Sequence, residues 1–141
     1  MLPSVSSRKI ASVAGAVLLS IAGMSSIGAP EPVAPMVRIA ELEIDPVQLE
    51  AYKILLAEEQ EASVRLEPGV LMLHSVALAE SPTSVRLLEV YADRRAYELH
   101  IKSPHFLKYK TSTEKMVKAL RLVDTRPILL CAKSVRQESC R

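Results

Sequence analysis

Residues 91–109, YADRRAYELHIKSPHFLKY, hold two of the chain's three histidines, three of its four tyrosines and its only phenylalanine. The order of events within this stretch decides the fold. Tyr91 closes a strand, Asp93 caps a helix starting at Arg94, and Ser103-Pro104 ends that helix and opens a second one, because proline suits a first helical turn. His100 falls on the first helical piece and His105 just beyond the break. A strand that runs straight into an interrupted helix calls for a sheet to pack against, so the neighbouring segments are read for strands.

Upstream, residues 84–92 (SVRLLEVYA) form a strand that can pair antiparallel with residues 70–79, VLMLHSVALA, across the turn at 80–83. The second run is almost continuously apolar, which predicts a strand covered on both faces. Glu67-Pro68-Gly69 stops the element before it, and Gly69 can take the positive φ of a tight turn. From Val47 to Leu66 the positions Leu49, Tyr52, Leu56, Ser63 and Leu66, widened by Leu55 and Ala62, share one helical face, and Glu50, Glu58 and Glu61 lie opposite. This is an amphipathic helix of about five turns. Before it, residues 36–45 (MVRIAELEID) read as a strand ending in an Asp45 N-cap, with Pro46 at the first helical position. Downstream, the second helical piece is expected to run to about Leu120, followed by a strand over residues 121–133 that Pro127 confines to an edge or a bulge.

The resulting order is β-α-β-β-α-β, an α+β chain of ferredoxin-like arrangement with both helices on one face of an antiparallel sheet. The other face would then be open and apolar. That predicts a homodimer joined sheet to sheet.

Residues 1–35 differ from the rest. Arg8 and Lys9 precede an apolar, small-residue run from Ile10 to about Met24, followed by SSIGAPEPVAP. This is the pattern of a signal peptide and short linker, too short for a comfortable membrane span. The division is therefore signal segment 1–35, domain 36–133 and C-terminal tail 134–141, with a periplasmic or secreted location. Membrane contact is expected only through the N-terminal segment if it stays uncleaved. Cys131 and Cys140 suit an oxidising compartment as a disulfide, and equally stand as two thiols.

A formal net charge of +2 with 24% charged residues leaves no basic stripe with aromatic platforms, which argues against a nucleic-acid partner. Lys108, Lys110, Lys115, Lys118 and Arg121 are interrupted by Glu114 and read as a solvated helix face. Gly69 is the one glycine in the domain, which excludes a nucleotide cradle. The sequence displays no Ser-His-Asp set and no spacing typical of metal ligands.

The stretch from Met36 to about Ala132 resembles the antibiotic biosynthesis monooxygenase family, in particular its quinol monooxygenase-like branch. The likeness is carried by MVRIAELEID, the Glu67-Pro68-Gly69 turn, LLEVYAD at 87–93 and AYELHIKSPHFLKY at 96–109, with HIKSPHF the most specific part. The resemblance implies a dimeric α/β barrel whose subunits each hold a pocket between sheet and helices. It also implies oxidation of a quinol or phenolic compound by molecular oxygen with no metal, flavin or haem. Haem-degrading relatives carry tryptophan at the position of His100 and histidine at that of Lys110. This chain has no tryptophan, which speaks against haem degradation, and Tyr91 stands where the family often has one.

Oxidation without a cofactor requires an electron-rich substrate, a base to deprotonate it and a donor to hold the oxyanion in a dry pocket. His100 is the candidate base. Glu89 interrupts the apolar run LLEVY, so it needs a partner, and His100 or Arg38 would serve. Tyr91 and Tyr97 are candidate phenolic donors, Phe106 and Met72 candidate pocket wall, and His105 and His74 further candidates for substrate contact. Each has a plainer reading: a helix histidine that caps a carbonyl, a core tyrosine, a strand histidine at a dimer interface. The leading function is an exported cofactor-independent monooxygenase or quinol oxidase. The alternatives are a non-catalytic periplasmic dimer that binds a small aromatic ligand, and an isomerase acting on a small metabolite.

Overall fold

The computed structural model describes residues 34–132. The expected signal segment up to residue 33, the tail from 133 and therefore the proposed Cys131–Cys140 disulfide lie outside the described residues. Among the described residues no helix is long and apolar enough to cross a membrane.

The elements are β1 (Met36–Ile44), α1 (Leu49–Leu66), β2 (Val70–Leu78), β3 (Ser81–Tyr91), α2 (Arg94–His100), α3 (Pro104–Thr113) and β4 (Val117–Asp124), with a short 3-10 turn at Pro46–Gln48 leading into α1. They form one four-stranded sheet in the order β2-β3-β1-β4, antiparallel throughout. This is the ferredoxin-like α+β arrangement. Local chemistry sets the helix starts. The Asp45 carboxylate accepts from Val47 N at 2.9 Å, Asp93 from Ala96 N at 2.7 Å and the Ser103 hydroxyl from Phe106 N at 3.3 Å. Each cap satisfies a backbone donor that the first helical turn leaves unpaired.

Strand alternation then divides the sheet into two faces. Ala40, Leu42 and Ile44 of β1 and Val85 and Leu87 of β3 are buried with Tyr52 and Leu56 of α1. The register places Ala40 between Leu87 and Leu122, and Leu42 between Val85 and Leu120. On the opposite face Ile39 stands between Leu88 and Val123, and the half-exposed Leu88 neighbours His74 on β2.

Three local expectations are corrected. The helix expected to reach Leu120 ends at Thr113, and the final strand is 117–124 rather than 121–133, so Pro127 follows it. Of the basic run that read as one helix face, Lys108 and Lys110 lie on α3, Lys115 in the turn after it, and Lys118 and Arg121 on the strand that pairs with β1 from Val117 onward; Asp45 N donates to Met116 O at 2.8 Å at the corner. Tertiary pairing overrides helix propensity here. Next, β2 is not covered on both faces: it is an edge strand, exposed from His74 onward. Finally, Gly69 does not adopt a positive φ. A Cβ there would lie 2.5 Å from Ala96 Cβ, so glycine is required by the close approach of α2 to the start of β2.

Candidate functional site

The segment from Tyr91 to Tyr109 folds over the helix-bearing face of the sheet and roofs a cleft of about 670 Å³. Its floor is Ala40, Leu42 and Leu87, and its polar lining includes Arg38, Glu59, Glu89, Tyr91, Tyr97 and His100, with Lys110, Glu114 and Lys118 also on its border. Phe106 and Tyr109 complete an aromatic wall. The rings of Tyr91 and His100 lie 5.4 Å apart and those of His100 and Phe106 4.9 Å. Of the residues expected from the sequence, His100, Glu89, Tyr91, Tyr97 and Phe106 line this one cleft. His105 lines a separate small cavity of about 40 Å³ beside Glu59 and Tyr109. Met72 pairs with Val90 and His74 with Leu88, on the face away from the cleft, because one step along a strand inverts the side-chain direction.

The partnerships differ from expectation. His100, only 3% exposed, turns Nδ1 to the Glu67 carboxylate at 3.0 Å, not to Glu89. The same Glu67 oxygen meets His105 Nε2 at 2.5 Å. Burial opposes ionisation of Glu67, yet the two imidazole contacts outweigh it and hold the carboxyl below its usual range. An ionised carboxylate only accepts, so both imidazoles present N–H groups to it. The other ring nitrogen, His100 Nε2, lies 3.7 Å from Glu59 Oε1. Burial pushes the Glu59 carboxyl up, although Ser63 Oγ donates to it at 2.6 Å.

Arg38 does not pair with Glu89 either. Its Nη2 bonds Asp124 at 2.6 Å and its guanidinium lies over the Tyr97 ring, 4.4 Å from the centroid. Glu89 instead accepts from the Tyr91 hydroxyl at 3.1 Å. Burial raises the pKa of Glu89, with that hydrogen bond working the other way. Burial and the adjacent Glu89 also push the Tyr91 phenol far above its ordinary value. Tyr91 is therefore a donor in the wall, not a base. Tyr52 and Tyr109 share a hydroxyl contact at 2.8 Å on the α1 side.

A stability consequence follows for Glu89. A carboxyl whose folded pKa is raised contributes stability below its ordinary value of 4.5, and that stability is lost as pH rises through the raised value. Glu89→Gln is expected to raise the melting temperature relative to the parent at pH 8 and to lose that advantage by pH 4. Melting curves at the two pH values check it; an equal offset at both would rule out burial of a charge as the cause.

Glu59 and Glu67 were missed by the sequence reading. Tyr52, Leu56, Glu59 and Ser63 follow 4-3-4 spacing, so a carboxylate stands in the buried stripe of α1, a signal in plain view. Glu67 was read only as part of a helix stop. Glu67, His100 and His105, far apart in sequence, offer donor atoms all within 4.8 Å of one another.

The sequence profile of the family described as antibiotic biosynthesis monooxygenase matches residues 35–112. A solved candidate antibiotic biosynthesis monooxygenase from Bacteroides thetaiotaomicron is 49% identical, with a TM-score of 0.69 over 72% of this chain and 97% of that one. A candidate monooxygenase from Lactobacillus acidophilus is 28% identical, with a TM-score of 0.62 over 64% of this chain and 45% of the other. A Nitrosomonas europaea protein at 23% identity and TM-score 0.63, covering 67% and 99%, shares the fold. No curated protein matches the chain. The residues that build the cleft and the profile that spans them agree, and the chain belongs to the antibiotic biosynthesis monooxygenase family.

Proposed function

We propose that the protein is an exported monooxygenase that oxidises a small quinol or related phenol with molecular oxygen in the cleft beneath Tyr91–Tyr109. The observation that carries the reading is the convergence of His100, Glu89 and Tyr97 on one apolar-floored cavity. His100 Nε2 takes the phenolic proton while Glu67 fixes the ring through Nδ1. The phenolate so formed is the electron donor to oxygen, and no group other than the substrate has to supply electrons. Glu89, favoured in its protonated form by burial, donates a hydrogen bond to the second substrate oxygen. In balance, quinol plus O₂ gives a hydroxyquinone plus water: one oxygen atom enters the ring, and the two hydrogens lost leave with the other.

Oxygen uptake by the purified protein with a reduced naphthoquinol, against an enzyme-free autoxidation blank, tests this. Uptake well above the blank with a hydroxylated product supports it. Uptake equal to the blank across several quinols removes the enzyme reading in favour of a module that binds a small aromatic ligand.

Two further parts of the proposal rest on sequence and surface. Export is supported by the charged and apolar pattern of residues 8–28. A homodimer is supported by the apolar positions Ile39, Val76, Leu88 and Val123 on the sheet face that carries no helix. An intact mass that retains residues 1–28 after export, or a monomer mass in solution at micromolar concentration, would remove the corresponding part.

A further inference from the structure

Glu67 follows the last turn of α1, His100 ends α2 and His105 opens α3, so three separate chain segments bring their polar tips to one point. The Glu67 oxygen is 3.0 Å from His100 Nδ1 and 2.5 Å from His105 Nε2. The side chains are largely withdrawn from solvent, at 15% for Glu67, 4% for His100 and 18% for His105. Two imidazole nitrogens and a carboxylate oxygen form the three-ligand set that holds zinc with one coordination position open. Beyond them Glu59 lies 3.7 Å from Nε2, the other nitrogen of His100, where a carboxylate orients a metal-bound imidazole by accepting its remaining N–H. The small cavity of about 40 Å³ bordered by His105 and Glu59 lies next to one member of the set and has room for a water.

We propose that Glu67, His100 and His105 form a site for a divalent transition metal ion of zinc type, with Glu59 as the outer partner of His100. Tetrahedral bonds of about 2.1 Å place donors roughly 3.4 Å apart. Reaching that spacing asks each of the two contacts to open by less than about 1 Å, within side-chain rotation of Glu67 and His105. Both imidazoles would turn lone pairs instead of N–H groups toward the centre, and His100 would then carry its proton on Nε2. Metal and substrate phenol therefore compete for His100: the ion removes the lone pair that the oxidation reading assigns as proton acceptor. The site stands on its own geometry, and the competition alone rests on that reading.

The test is equilibrium dialysis of the full chain, first stripped with chelator, against Zn²⁺, with bound metal quantified and melting temperature followed. One equivalent per chain with a raised melting temperature is expected, and Glu67→Gln and His105→Asn each weaken binding at least about 10-fold. His74→Ala, on the opposite sheet face, binds as the parent does. No saturable binding by the folded parent overturns the site. So does an equivalent retained in both ligand variants and lost on Cys131→Ser, which would place the ion at the thiols. Binding is read without turnover, so a failure here is separable from a failure of quinol oxidation.

Discussion

If the protein oxidises quinols as proposed, His100→Ala is expected to lower oxygen uptake with a reduced naphthoquinol by about 100-fold or more, the ordinary loss when a positioned general base is removed. The expectation rests on the proposed role of His100 Nε2 as proton acceptor. Nδ1 contacts Glu67, and the His100 side chain lines the cleft. Because the floor of Ala40, Leu42 and Leu87 is untouched, the loss should fall on kcat more than on KM. The substitution also takes a partner from Glu59 and Glu67, so melting temperature is measured alongside, and uptake is compared well below the variant's transition. His100→Gln, which keeps a polar side chain at the site, should recover stability without recovering the rate. Uptake above the blank that survives both substitutions would keep the oxidation and discard His100 as its base.

Tyr91→Ala is the substitution expected to cost most stability, about 3–5 kcal/mol as for other large aromatic truncations in a core. Tyr91 is fully buried at the end of β3, packed with Val70 and Leu73. Its ring meets Tyr97 edge-on at 5.4 Å and His100 at the same distance. It therefore pins α2 to the sheet and sets the depth of His100 in the cleft. In a domain of this size the loss corresponds to a fall in melting temperature of roughly 15 °C or more. Tyr91→Phe separates packing from hydrogen bonding, because it keeps the ring and removes only the hydroxyl that Glu89 accepts from; its cost should be about 1 kcal/mol. Urea or thermal unfolding checks both. A small loss for the alanine variant would mean that the α2 contact with the sheet does not depend on this ring.

Much of the scaffold could be read in advance because its signals are local. Asp45, Asp93 and Ser103 cap the helices whose starts they mark, and a cap is decided within three residues of itself. Alternation along MVRIAELEI reports one buried and one open face whatever lies beyond. The boundary between α3 and β4 was misplaced for a related reason. Residues 114–120 carry enough lysine and glutamate to satisfy a helix face, and only the ladder to β1 makes a strand from Val117 onward.

The sequence by itself determined the order of elements, the family likeness and the concentration of aromatic and imidazole groups in residues 91–109, all properties of spacing along the chain. Tertiary structure alone decided which carboxylate His100 meets. Glu67 is 33 residues away in sequence and reaches the imidazole only because α1 ends beside the junction of α2 and α3. It also decided that Met72 and His74 face away from the cleft while Glu89 faces into it. Side-chain direction on a strand depends on the pairing register, and register is a relation between segments that neither segment specifies alone.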